Sequence, residues 1–189
     1  MTKASKYAVS DFVADAQAIM SRPGASREEI VAELTPLVER IVWNDDLLDT
    51  RFRAEPESGR ARFVHHLAED GSLQVYVVEF DPGMPTPVHD HVTWGLIGVC
   101  GGSQATLRYR RLDDLSDPDH ATLGLIEDAV LERGAVYPLL PPHDIHRIAT
   151  HGDEPSYSLH VLGADLALQT RRIFDPGTGR IETVHGRGM

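Results

Sequence analysis

The chain has 189 residues, 41% of them hydrophobic and 25% charged, a composition that suits one soluble globular domain. No apolar run approaches the roughly 20 residues that span a bilayer. The opening stretch MTKASKYAVSDFVADAQ lacks the apolar core of a secretory signal, so a cytoplasmic protein without a membrane partner is expected. A net charge of -11 argues against nucleic-acid or anionic-membrane partners, and the single cysteine, Cys100, excludes an intrachain disulfide or a Cys-rich zinc site.

The first 50 or so residues read as helical. A helix is predicted from Val9 to Met20, ending before Pro23-Gly24. Ser26 followed by Glu29 forms a capping box, and Ile30, Leu34, Leu37, Val38, Ile41 and Val42 then recur at helical spacing. Beyond about Arg60 the pattern changes to short β-rich runs: RFVHHL, SLQVYVVEF, TWGLIGVC, ATLRYRRL, ATLGLIED, AVYPLL, DIHRIAT, YSLHVLG and QTRRIF. Turn signals such as DPG, GG, DDLSDPD, ERG, PP and HGDEP separate them, which points to an all-β sandwich or barrel. The chain therefore divides into a helical N-terminal section, residues 1–52, and a β-barrel, residues 53–189.

Ten histidines are many for this length, and their placement carries the functional information. His89-Asp90-His91 lies between a turn and a β-rich run. On an extended segment, side chains at i and i+2 share a face, so His89 and His91 point one way and Asp90 the other. Two adjacent imidazoles make half of a metal site. Candidates for a third ligand are His143, His146, His151 and His160. His146 shares a strand face with Asp144 and Ile148. His143 follows two prolines and His151 precedes a glycine, so both read as exposed loop residues.

Taken together, PVHDHVTWGLIGVCGG, then PPHDIHRI, then SYSLHVLG resemble the thiol dioxygenases of the cupin superfamily, a group that includes cysteine dioxygenase and 3-mercaptopropionate dioxygenase. The resemblance runs from about Arg62 to Phe174. It implies a cupin double-stranded β-helix barrel with a short helical N-terminal region. It also implies a mononuclear Fe(II) held by His89, His91 and His146, with a small thiol and O2 as substrates. Ordinary cupins add a glutamate ligand shortly after the HxH pair. Here that stretch is Val92-Thr93-Trp94-Gly95-Leu96, without a carboxylate. Three neutral imidazoles leave the ion its full charge and open positions for a thiolate and dioxygen, a redox pairing that zinc does not support.

The resemblance further implies that Ser158 and His160 form a relay, ending in other members at a tyrosine two residues on. This chain has Leu162 there, which cannot donate a hydrogen bond. A drier, more apolar pocket suited to a bulkier or less polar substrate is the expectation that follows. The thioether crosslink of some cysteine dioxygenases cannot form, since Leu162 replaces the tyrosine and Gly95 stands at the cysteine position. The substrate carboxylate is read in one branch by an early-strand arginine, whose place here falls near His65. In the other branch the reader is an arginine three residues before an aromatic, which Arg171 matches through Phe174. Guanidinium suits the task because it donates two parallel hydrogen bonds and stays charged when buried. Two alternatives stay open from the sequence: a cupin oxygenase acting on a non-thiol chelating substrate, and a non-catalytic metal-binding cupin.

Overall fold

A computed structural model describes residues 7–54 and 60–186. Helix α1 (Val9–Met20) and helix α2 (Arg27–Ile41) come first. The capping box forms as read: Glu29 N–H donates to Ser26 Oγ at 3.2 Å, and Ser26 N–H to Glu29 Oε2 at 2.8 Å. Two short 3-10 turns, Asp45–Leu48 and Thr50–Phe52, lead into the strands. Neither helix is long and apolar enough to cross a membrane.

Twelve strands follow among the described residues: β1 (Arg53–Ala54), β2 (Arg62–Leu67), β3 (Gln74–Phe80), β4 (Val88–His89), β5 (Gly95–Gly101), β6 (Ser103–Arg111), β7 (Leu123–Glu132), β8 (Val136–Leu139), β9 (Ile145–Thr150), β10 (Ser156–Leu162), β11 (Thr170–Phe174) and β12 (Ile181–His185). They build two six-stranded sheets. The first runs β1-β2-β3-β10-β5-β8 and the second β12-β11-β4-β9-β6-β7. Every pairing is antiparallel. From β3 onward the chain passes to the facing sheet at almost every step. This winding of a strand pair around a common axis defines a cupin double-stranded β-helix.

Alternation along the strands divides the interior in two. On β3 and β10, Val75, Val77, Leu159 and Val161 face the helices, where they meet Phe12, Leu34, Val38 and Ile41, all fully buried. Gly98 lets the helix approach: a Cβ there would lie 2.6 Å from Val42 Cγ1 and 2.9 Å from Val38 Cγ1. Cys100 belongs to this core, and burial pushes its thiol up to about 12, so it is an inert packing residue. The intervening residues Tyr76, Val78 and Phe80 face the barrel interior with Ile97, Ile148 and Leu162.

Candidate metal centre

The two histidines of the HxH pair stand at the end of β4, and the third stands across the ladder. His89 on β4 is the direct register partner of His146 on β9. One ring nitrogen from each of His89, His91 and His146 lies within 4.8 Å of the others, and all three residues are buried, so the trio forms a metal-binding site. The Nε2 atoms of His91 and His146 are 3.0 Å apart. Two nitrogens each about 2.1 Å from a shared ion, at a right angle, have that spacing.

The ring environments suit neutral ligands. His89 Nδ1 is 3.0 Å from the Pro87 carbonyl oxygen, and His146 Nδ1 is 3.1 Å from the Tyr137 hydroxyl, which leaves each Nε2 lone pair for a metal. His91 differs, because its Nδ1 is buried without a hydrogen-bond partner. Burial is the main force lowering all three: it brings His89 down to about 4, helped by the nearby Arg171 and Arg60, and holds His91 and His146 well below the ordinary histidine range. The imidazoles therefore present lone pairs at neutral pH.

Two carboxylates shape the loop without entering the site. Asp144 Oδ2 accepts from the backbone N–H groups of His91 and Val92, both at 2.8 Å. Val92 needs that anchor, since it holds a left-handed φ of 53°. Asp90 points away from the histidines, as the i/i+2 parity requires. It accepts from Arg172 Nε at 2.6 Å and from Arg172 N–H at 2.8 Å. Asp144 was visible in the sequence only as a neighbour of His146 on one strand face. Its service to a loop some 50 residues earlier has no local signal.

Above the histidines lies a cavity of about 40 Å³, room for a few water-sized groups. Its walls include His89, His91, His160, Tyr76, Phe80, Ile148 and three arginines, Arg60, Arg62 and Arg171. Ser158 Oγ lies 3.1 Å from His160 Nε2 and accepts from Gln104 Nε2 at 3.3 Å. His160 Nδ1 is buried without a hydrogen-bond partner among the described residues. Burial holds His160 down near 3, and its ring stacks on Tyr76 at 5.1 Å, with 19° between the planes. Arg171, on β11, is only 2% exposed and donates to the Gly186 carbonyl at 2.8 Å. Burial lowers its basicity, and the Tyr76 phenol partly restores it. His143 and His151 are exposed, outside the cluster.

Two expectations from the sequence need correction. His65 does not reach the cavity. It shares its strand parity with Phe63, which faces the helices, and the β2–β3 register shifts between Val64 and His66. Its Nε2 sits 2.9 Å from the Leu47 carbonyl oxygen and its ring 4.8 Å from that of Phe52. The cavity-facing position on β2 is Arg62, the register partner of Val78. Leu162 also stays out of the cavity wall. It is fully buried in the barrel core and pairs in register with Gly95, where a Cβ would come within 2.5 Å of Leu162 Cδ2. Leu162 Cδ2 thus occupies the space that the missing Gly95 side chain leaves. The cavity surface is mostly apolar, with three guanidinium groups on its wall.

No protein-family model matches the chain. Among solved structures, an oxalate oxidase is similar over 60% of this chain and 59% of its own, at 19% identity and a TM-score of 0.43. A hydroquinone 1,2-dioxygenase is similar over 52% of this chain and 61% of its own, at 14% identity and a TM-score of 0.40. An uncharacterised protein with a double-stranded β-helix domain from Klebsiella pneumoniae is similar over 72% of this chain and 86% of its own, at 14% identity and a TM-score of 0.43. The chain thus spans only about three fifths of the first two proteins. These are likenesses of barrel architecture.

Proposed function

We propose that this protein is a non-haem Fe(II) dioxygenase that oxidises a small carboxylate-bearing thiol to its sulfinate. The observation that carries this reading is the pairing of three neutral imidazoles, with no carboxylate ligand, and a buried arginine on the wall of the same cavity. The reaction balances without a further reductant: RSH plus O2 gives RSO2H, with both oxygen atoms on sulfur. Sulfur loses four electrons and dioxygen gains them.

His89, His91 and His146 would hold the iron, which supplies the redox chemistry that lets dioxygen react with a thiolate. The other roles fall to the chain's own side chains. Arg171 binds the substrate carboxylate and fixes the direction of the thiol. His160, kept neutral by burial and hydrogen-bonded to Ser158, presents its ring at the cavity wall to orient the substrate. Tyr76 supplies the phenol of the cavity wall in place of the family tyrosine missing at Leu162. The surrounding Val78, Phe80, Ile148 and Leu166 limit water, which strengthens each of these polar contacts.

Oxygen uptake by the Fe(II)-loaded protein with a panel of thiols tests the proposal. Consumption of one equivalent of O2 per thiol, with a product heavier by two oxygen atoms, is the expected result. Uptake with a diketone and with no thiol would replace this reading with that of a cupin acting on an oxygen chelate. No uptake with any ligand would leave a metal-binding cupin without this activity.

A further inference from the structure

The two sheets differ in what covers their outer faces. Helices α1 and α2 cover the first. The second is covered at one end, where Ile145 and Phe174 pack with Ala121 and Ile181. Beyond that end, β6, β7 and β9 turn outward the residues that alternate with the buried Gln104, Thr106, His146 and Ile148. Register sets these outward residues in rows. Leu107 lies between Arg147 on β9 and Asp128 on β7, and Ala105 lies between Ala149 and Val130. The face is rich in uncovered apolar groups: five of the eleven exposed large hydrophobics, Leu112, Leu115, Leu125, Ile126 and Val130, fall on β7 or in the loop before it. Among the described residues, neither Arg147 nor Asp128 has an ion-pair partner.

We infer that this face joins two copies of the chain, stacked sheet on sheet about a two-fold axis that lies in the interface along β6. That operation exchanges the sides of β7 and β9 and keeps each row in place. Arg147 then faces the second copy's Asp128, and Asp128 faces the second copy's Arg147. The larger Val130 sits over the second copy's smaller Ala149, and Leu107 meets Leu107. Charge and size are both self-complementary, as an isologous interface requires. Sheet twist rotates the two sets of strands by about 30° and leaves the central rows in contact. The same residues disfavour the other way of pairing through β7, which ends its sheet. Edge-to-edge addition centred on this ten-residue strand sets Glu127 opposite the second copy's Asp128, twice, where like charges repel. Each copy carries a net charge of -11, so a joining face has to set base against acid, and the stacked arrangement does.

Sedimentation equilibrium tests the inference, and the wild type should show twice the mass of the chain. Arg147→Glu and Asp128→Arg should each weaken self-association on the order of 100-fold or more, because each reversal opposes like charges twice across the axis. Mixed in equal amounts, the two variants should form a dimer again, since every reversed charge then meets its opposite. A merely structural defect would not be repaired by mixing, and unfolding midpoints close to wild type check that each variant is folded. Leu107→Asp touches neither charged residue and should also give a monomer, because it sets two carboxylates face to face on the axis. A wild type that stays monomeric overturns the inference. So does a dimer that persists in either charge reversal or in Leu107→Asp, since the copies would then meet through another face. A mixture of the two folded charge variants that stays monomeric overturns the pairing of Arg147 with Asp128 and the inference with it.

Discussion

Strands β3 and β10 of the first sheet are buried on both faces, and the two faces are chemically opposite. Toward the helices, Val75, Val77, Leu159 and Val161 pack against Phe12, Leu34 and Val38 with no polar side chain among them. Toward the barrel, the alternate residues of the same strands, Tyr76, Ser158 and His160, share buried space with His89, His91, His146 and Arg171. Equal burial therefore does not mean equal stabilisation. The helix side gains the full transfer free energy of apolar groups, about 25 cal/mol per Å². The barrel side carries polar groups whose desolvation offsets most of that gain, and their presence is explained by what they can bind. A period of two residues along β10 separates the part that holds the protein together from the part that does chemistry.

Substitutions that separate the two faces sharpen this contrast. The largest effect belongs to His146→Ala: it should remove most of the metal and nearly all activity, because two imidazoles alone hold Fe(II) weakly. Metal content by emission spectroscopy checks this, and full occupancy in the variant would remove His146 from the ligand set. Next comes Leu34→Ala on the helix side, which should destabilise the chain by about 2–5 kcal/mol through cavity formation while the metal content stays unchanged. Denaturant unfolding alongside metal analysis reads both quantities, and joint loss would break the division. The third effect is a pH dependence of the metal-free protein, smallest near neutral pH. His89 and His160 titrate near 4 and 3 when folded, below the ordinary 6.5. The unfolded chain takes up protons first as pH falls, so stability should decline from about pH 6.5 towards pH 4. Each such histidine contributes a slope of up to about 1.4 kcal/mol per pH unit. A flat unfolding midpoint over that window would show that these rings are not held neutral by burial.

Much of this was legible because its signals are local. A capping box, a helical apolar stripe and alternating runs each depend on neighbours within a few residues. The HxH pair is legible for the same reason, and HDIH gave the third imidazole through its likeness to a known pattern. His65 was misplaced because a register shift within β2 is decided by pairing with β3, which no single strand announces. Arg62 was missed for the matching reason: its place on the cavity wall is set by its register with Val78 across the ladder. At Leu162 the loss of the hydroxyl was plain, but its consequence was not. Leu162 packs into the space that Gly95 leaves on the neighbouring strand, and the cavity wall is set by residues remote in sequence. The two-residue strands β1 and β4 are too short to carry any periodicity of their own.

Asp144 joins the loop bearing His91 to the strand bearing His146 through two backbone hydrogen bonds. That link makes the histidine trio a socket shaped by the polypeptide itself. In small metal-dependent domains the ion's affinity is spent on ordering the chain, so a chelator unfolds them. Here an aspartate two residues from one ligand ties the two ligand-bearing segments together through the chain's own hydrogen bonds, so part of that ordering falls to the polypeptide.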